Sequence, residues 1–494
     1  MVIIREIRKV IMVTPLGKKK KEITISPIGY SAESVTGSCN IIEYEDTMIA
    51  VECGGIQEGH TILDNYNMNK RMIGKIKAKD LDYIFIEHLH YDHISNICSL
   101  FAIGCTAKII APKGSSLILK EMWLDSCKIN TKDCEYLQRK TGRTYEPFYT
   151  YDDIMRTLDN ITEYESNEII ELDDKLSFRY TNAGHIMLSK QLELFIKINN
   201  HVNKILVTSD LGNITTQDKR VFVENFEPVV KANIAIVEST YGLRSKRNGK
   251  KDFNKDLEKI KTVIEQYCVD RNRRCLIPTF SLDKTAIVLW YLYEMFGKDE
   301  SFKVPIIVDS PLAIRLLNCY GQILKDEQKD MFEEMMSWNN IVLVAEHEES
   351  TRLIAEKGAK VVVSSGGMLQ SGRSVAWAQS IIPCSNDIII FCGYCGIDTL
   401  GWKIKNAKQQ KTITINNKVL KNRCQVIDLH SFSSHMQHDD LVNYYKSIQS
   451  DRIYLIHGDL QARIELKSHL EEELSKMCKS TKVGIITKDM RISL

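Results

Sequence analysis

Short runs of β-branched and aromatic residues recur along this chain, and four of them close on a histidine or an acid. Asp82-Tyr83-Ile84-Phe85-Ile86 reads as a buried strand that runs into Glu87-His88-Leu89-His90-Tyr91-Asp92-His93. Leu176-Ser177-Phe178-Arg179-Tyr180 leads to Asn182-Ala183-Gly184-His185, Lys204-Ile205-Leu206-Val207-Thr208-Ser209 ends on Asp210, and Arg452-Ile453-Tyr454-Leu455-Ile456 ends on His457. Between Asp210 and His457 lie further apolar runs: Asn233 to Ser239, Cys275 to Phe280, Val304 to Asp309, Ile341 to Ala345, Val361 to Ser365 and Asp387 to Tyr394. They alternate with helical spacing, as in Phe253, Leu257, Ile260, Val263, Ile264 and Tyr267, and again from Asp283 through Tyr293. A segment far longer than about 15 residues is not a loop, so it predicts an inserted domain. Its repeated βα units predict a parallel sheet covered by helices. A helix from Leu460 to Met477 and a strand from Val483 to Thr487 are left to finish a sheet.

Three of the chain's 12 histidines fall between positions 88 and 93. In an extended segment His88, His90 and Asp92 point to one side, and His93 comes from the turn that follows. Neutral imidazoles suit zinc, and the carboxylate suits a second, harder position. The remaining ligands are sought at the other strand ends, where His185, Asp210 and His457 stand.

Together these residues resemble the metallo-β-lactamase fold, in which HxHxDH, a later His, a strand-end Asp and a last His build a two-zinc centre. Gly29 to Cys39 looks like the family's opening hairpin and Val51-Glu52-Cys53-Gly54-Gly55 like its first motif, with Glu52 where Asp is usual. Ser95, Leu188 and Ser209 occupy positions where the family usually has Gly. In the insert, Glu238-Ser239-Thr240-Tyr241-Gly242, Ile277-Pro278-Thr279-Phe280-Ser281, Val308-Asp309-Ser310-Pro311-Leu312-Ala313 and Ser365-Gly366-Gly367-Met368-Leu369-Gln370-Ser371-Gly372-Arg373 resemble the β-CASP signatures. Ser431-Phe432-Ser433-Ser434-His435 continues the match.

This resemblance implies an αββα metallo-β-lactamase domain at 1–225, an α/β β-CASP domain with a parallel sheet at 226–425, and completion of the first domain at 426–494. It implies two zinc ions, one held by His88, His90 and His185, the other by Asp92, His93 and His457, with Asp210 bridging. Such a pair supplies a hydroxide at neutral pH for phosphodiester hydrolysis. Asp92, Glu238 and His435 are the expected catalytic residues, His435 as general acid oriented by Glu238. Tyr241, Lys284, Ser310, Gly366, Gly367 and Arg373 are the expected substrate contacts, the glycines for close phosphate approach and Arg373 as counter-charge. A histidine at position 457 is typical of RNA-directed relatives, so the expected substrate is single-stranded RNA, with DNA second. Gln437 replaces a usual Asp, and Lys284 a usual Arg, losing a bidentate phosphate fork.

Charge adds only local information, because 66 basic residues face 64 acidic ones. Arg244-Ser245-Lys246-Arg247-Asn248-Gly249-Lys250-Lys251 and the seven basic residues from Lys403 to Arg423 are the runs suited to phosphate contacts; Lys18 to Lys21 reads as a solvated turn. No stretch of about 18 uncharged apolar residues occurs, which argues against a membrane span, and Arg5, Arg8 and Lys9 interrupt any signal-like start. The 14 cysteines lack a disulfide-like framework, which predicts a cytoplasmic protein. Cys392-Gly393-Tyr394-Cys395 is an isolated CxxC with no second pair. The expectation is a zinc-dependent, endonucleolytic ribonuclease, with homodimerisation left open. The rivals are a DNA nuclease, a small-molecule hydrolase and a non-catalytic RNA-binding subunit.

Overall fold

The computed structural model describes residues 22–212, 221–246, 252–393, 395–396, 399–407, 409–429 and 431–494. Two seven-stranded sheets form the centre of the host domain. The first runs, in spatial order, Ile492–Ser493, Thr24–Pro27, Asn40–Tyr44, Thr47–Val51, Tyr83–Phe85, Lys108–Pro112 and Ile161–Tyr164. The second runs Lys482–Ile485, Arg452–Leu455, Ile234–Val237, His201–Val207, Lys190–Ile198, Leu176–Asn182 and Ile170–Glu171. Alternate residues of both sheets interlock in one buried layer: Ile25, Val51, Phe85 and Ile110 from the first, Phe178, Tyr180, Leu194, Ile205 and Ile236 from the second. Strand alternation turns the other residues outward, where Ile84, Ile109 and Ala50 meet helices on one face and Leu206, Ala235 and Ile453 meet helices His438–Ser447 and Leu460–Lys476 on the other. This is the expected αββα arrangement.

The insert carries its own six-stranded sheet, in the order Ile341–Leu343, Ile306–Val308, Lys360–Ser365, Arg274–Thr279, Ile388–Phe391, Gln425–Asp428, parallel throughout. Its helix Pro311–Ile323 packs on the 27-residue helix Ser115–Thr141 of the host. Arg315 reaches Glu121 at 2.6 Å and Asp125 at 3.2 Å across that contact.

One strand differs from expectation. Ile234–Val237, read above as part of the insert, lies in the host's second sheet, parallel to His201–Val207 on one side and Arg452–Leu455 on the other. Three neighbouring parallel strands therefore end at one edge of that sheet, and their next residues include Asp210, Glu238 and His457. Tyr83–Phe85 of the opposing sheet ends just before His88. The Tyr180 hydroxyl, on the second sheet, lies 2.8 Å from the Ile86 carbonyl and 2.9 Å from that of Ile110, tying the sheets at the point where the histidines leave. Gly29 to Cys39 is the connection between the first two strands, with a single 3₁₀ turn at Tyr30–Ala32.

Candidate metal centre

His88 and His90 leave the strand on extended backbone, with φ −68° and ψ 154° at His90, but Tyr91–Ile94 is already a helical turn. Asp92 therefore does not continue the alternation; it and His93 turn away together. Backbone contacts hold that turn, since Ser38 N–H donates to the Asp92 carbonyl at 2.8 Å and Cys53 N–H to that of His93 at 3.1 Å. Gly54 packs so closely that a Cβ there would stand 1.5 Å from the Asp92 carbonyl oxygen. Likewise, a Cβ on Gly212 would stand 1.6 Å from the Gly184 carbonyl oxygen, so the Asp210 and His185 loops meet backbone to backbone.

The result is two adjoining donor groups. His88, His90, His185 and Asp210 form one, with the three rings 5.2, 5.3 and 5.5 Å apart between centroids and steeply inclined to one another. Asp92, His93 and His457 form the other. Asp210 faces both: its carboxylate is 3.6 Å from His88 Nε2, 3.7 Å from His185 Nε2, 3.8 Å from His93 Nε2 and 3.2 Å from His457 Nδ1. Asp92 Oδ2 lies 3.5 Å from Nε2 of both His93 and His457. Two donors each at the usual distance from one tetrahedral zinc stand roughly 3.4 Å apart. The spacings bracket that value and all but the 3.2 Å one exceed ordinary hydrogen-bond lengths, and the buried Nε2 atoms of His88 and His93 make no hydrogen bond. The donor set and its spacing fit zinc.

Electrostatics differ between the two groups: although burial lowers them, neighbouring carboxylates push the His93 and His457 imidazoles up. Burial pushes the His90 imidazole down to about 3, aided by His88, and burial likewise lowers His88, leaving neutral rings suited to ligation. Burial would raise Asp92 and Asp210, but the surrounding imidazoles hold both carboxyls low. Glu52 lies 2.5 Å from His93 Nδ1 through Oε2 and, despite burial, His93 and His88 hold it at about 2. Glu87 behaves oppositely: burial and the Glu52 charge push its carboxyl well up.

The backbone is strained here. Glu52, Leu188, Ser209 and His457 all have positive φ, at 64°, 65°, 55° and 55°. An L-residue in this region costs on the order of 1 kcal/mol, so the loops are held by their surroundings. Two of the four, Leu188 and Ser209, are positions where glycine was the usual residue, and the left-handed backbone is the reason. Ser95, the third such position, has an ordinary helical φ of −68°.

Beside the first group stands His435, its ring 4.5 Å from that of His185 and its side chain 22% exposed. Its Nδ1 is 3.5 Å from Glu238 Oε1. Glu238 is buried and also accepts from Leu211 N–H at 3.0 Å and Thr240 N–H at 2.8 Å, so it joins the Asp210 loop to its own. The Tyr241 ring lies 5.6 Å from His435. Gln437 donates to the His435 carbonyl at 3.2 Å, a local contact in place of a charge.

The other expected substrate contacts lie elsewhere in the insert. Lys284 is buried and donates to the Phe432 carbonyl, three residues before His435. Arg373 gives its guanidinium to Asp309 at 2.7 Å and to the carbonyls of Val344 at 2.9 Å and Ala345 at 2.5 Å. Ser310 caps a helix at Ala313 N–H and lies 2.6 Å from the Ser365 hydroxyl; Gly366 N–H donates to Thr279. Arg373, Ser310 and Gly366 bind their own domain's loops together, whereas Lys284 reaches across to the segment that carries His435. Of the basic runs, Arg244 is anchored to Glu472 at 2.9 Å and Lys405 to Asp428 at 2.6 Å. Lys411, Lys418 and Lys421 are exposed on and beside the hairpin Thr412–Ile415/Lys418–Lys421. Residues 247–251, 408 and 18–21 lie outside the described residues, as does Tyr394. Cys392 and Cys395 are free thiols pushed up by burial to about 12 and about 11.

Sequence reasoning passed over two hydroxyls. Ser209 Oγ is 3.0 Å from His88 Nδ1 and Thr240 Oγ1 is 3.1 Å from His457 Nδ1. Their signal was adjacency to the ligand-bearing strand ends.

Residues 285–404 match the family model described as Beta-Casp domain, and residues 420–480 that described as Zn-dependent metallo-hydrolase RNA specificity domain. The chain is 24% identical over 448 residues to a ribonuclease of Thermus thermophilus, covering 90% of this chain and 94% of that protein. It is 25% identical over 460 residues to cleavage and polyadenylation specificity factor 73 of Drosophila melanogaster, 91% of this chain but 62% of the relative, and 26% identical over 440 residues to an RNase of Saccharolobus solfataricus, 86% and 79%. A crystal structure of a protein of unknown function from Enterococcus faecalis superposes with a TM-score of 0.53 at 12% identity, covering 96% of this chain and all of that one; the two share a fold. Among the described residues no helix is long and apolar enough to cross a membrane.

Proposed function

We propose, from the αββα fold and the matches to the Beta-Casp and RNA specificity domains, that the chain is a zinc-dependent ribonuclease cutting single-stranded RNA endonucleolytically. The observation that carries the reading is the pair of donor groups sharing Asp210, with a half-open histidine at their edge. The relatives named as ribonucleases support RNA as the substrate.

His88, His90, His185 and Asp210 would hold one zinc, and Asp92, His93, His457 and Asp210 the other. When bound, the ions supply a water acidified towards neutrality and positive charge opposite the phosphate oxygens. Glu238, fixed by two backbone donors, faces His435 Nδ1 and so leaves Nε2 as the atom that delivers a proton to the leaving oxygen. The Tyr241 ring, 5.6 Å from that of His435, would offer a surface for ribose or base. Lys284, through the Phe432 carbonyl, sets the loop that carries His435. Ser310, Gly366, Gly367 and Arg373 shape the facing loops of the insert.

The test is metal analysis of the natively purified chain together with cleavage of matched end-labelled and internally labelled RNA and DNA. About two zinc per chain, RNA cut internally, and loss of both zinc and cleavage in Asp210→Ala are expected. Less than one zinc, or cleavage untouched by Asp210→Ala, would sink the proposal; faster cleavage of the DNA would transfer it to the other nucleic acid.

A further inference from the structure

We infer that Ser209 is a positioning residue that holds the His88 ring with Nε2 turned toward the metal, a role resting on the zinc reading above. Two independent observations meet at this side chain. The backbone at Ser209 has φ +55°, a conformation glycine adopts freely and an L-residue only under strain. Yet a serine is held there, buried, with its hydroxyl 3.0 Å from His88 Nδ1. A side chain retained where the backbone suits none points to work done by the side chain.

That work is holding the ring. With Nδ1 hydrogen-bonded to Ser209 Oγ, Nε2 is turned the other way and lies 3.6 Å from Asp210 Oδ2 within the three-histidine group. Nδ1 also faces Glu52 Oε1 at 3.6 Å, a longer contact, while Glu52 Oε2 is occupied by His93. Without the hydroxyl, Nδ1 is left to the longer Glu52 contact, and the ring loses a constraint on its rotation. The same residue precedes Asp210, so one strained position sets both a bridging carboxylate and the ring beside it.

Two substitutions separate the hydroxyl from the backbone. Ser209→Ala removes the hydroxyl and keeps the strain; Ser209→Gly removes both. Zinc affinity, read by competition with a chromophoric chelator, is expected to fall on the order of 10-fold in both. In the zinc-stripped proteins Ser209→Gly is expected to melt above Ser209→Ala, by about 1 °C or more. Nitrogen-15 spectra of the imidazoles should show the His88 signals shifted and broadened in both. Zinc affinity and His88 signals unchanged in a folded Ser209→Ala overturn the inference while leaving the metal centre standing. A wild-type chain that takes up no zinc overturns the centre, and the inference with it.

Discussion

His435 is partly open to solvent, whereas the carboxylate it faces, Glu238, is buried. It stands beside the first donor group without belonging to either zinc set, so its removal should separate chemistry from metal binding. His435→Ala is expected to lower kcat by about 10²- to 10⁴-fold with zinc content unchanged, checked by single-turnover cleavage and metal analysis side by side. A second residue-scale expectation concerns Glu193, fully buried on the second sheet. Burial raises its carboxyl, but Arg179 at 2.7 and 3.0 Å, Lys204 and Thr181 more than compensate and hold it low. A depressed folded-state value means the stabilisation is complete above the ordinary Glu value near ~4.3 and fades as pH falls from there through the folded value. Glu193→Gln should therefore cost about 2 kcal/mol at pH 7, with the gap to wild type in thermal melts narrowing below about pH 4.

At the scale of elements, the loops matter through their backbones. Gly212→Ala would drive a methyl into the Gly184 carbonyl, forcing apart the loops that carry Asp210 and His185. Zinc affinity is expected to fall at least 10-fold although no ligand is altered, read by the same chelator competition. The seven residues that the structure gathers into the two donor groups were legible in the sequence because they follow apolar strands closing on His or Asp, a pattern read without knowing how strands pair. The sheet membership of Ile234–Val237 was not legible. A strand buried on both faces is apolar at every position, and Ile-Ala-Ile-Val fits either sheet equally well. Strand Gln425–Asp428 and the hairpin 412–421 escaped because their polar residues mask the period, and Ile492–Ser493 because two residues carry none. The helical turn Tyr91–Ile94 hid inside a stretch that alternation treated as extended. At Ser209 the residue type was visible, but only the backbone angle and the His88 contact gave it meaning.

For the molecule as a whole, the balanced net charge of +2 leaves RNA affinity to local surfaces. Lys411, Lys418 and Lys421 are exposed and clustered about one hairpin. Each lysine that meets a phosphate of a single strand contributes about 0.7 to the slope of log affinity against log salt. The triple alanine variant is expected to flatten that slope by about 2 while leaving zinc content and the melting temperature in place, as filter binding across a salt series would measure. The arrangement of the second sheet has a temporal consequence as well. Arg452–Leu455 lies between Ile234–Val237 and Lys482–Ile485, and His457 follows it, so the second donor group draws on residues from 92 to 457. During synthesis the inserted sheet, complete by Asp428, emerges while the host sheet still lacks two strands. Ribosome-bound chains stalled before Arg452 are expected to show no RNA cleavage, and chains released after Ser493 to show it; activity in the stalled chains would refute this. Such a chain would be assembled inert, and armed only once His457 had joined partners laid down more than three hundred residues earlier.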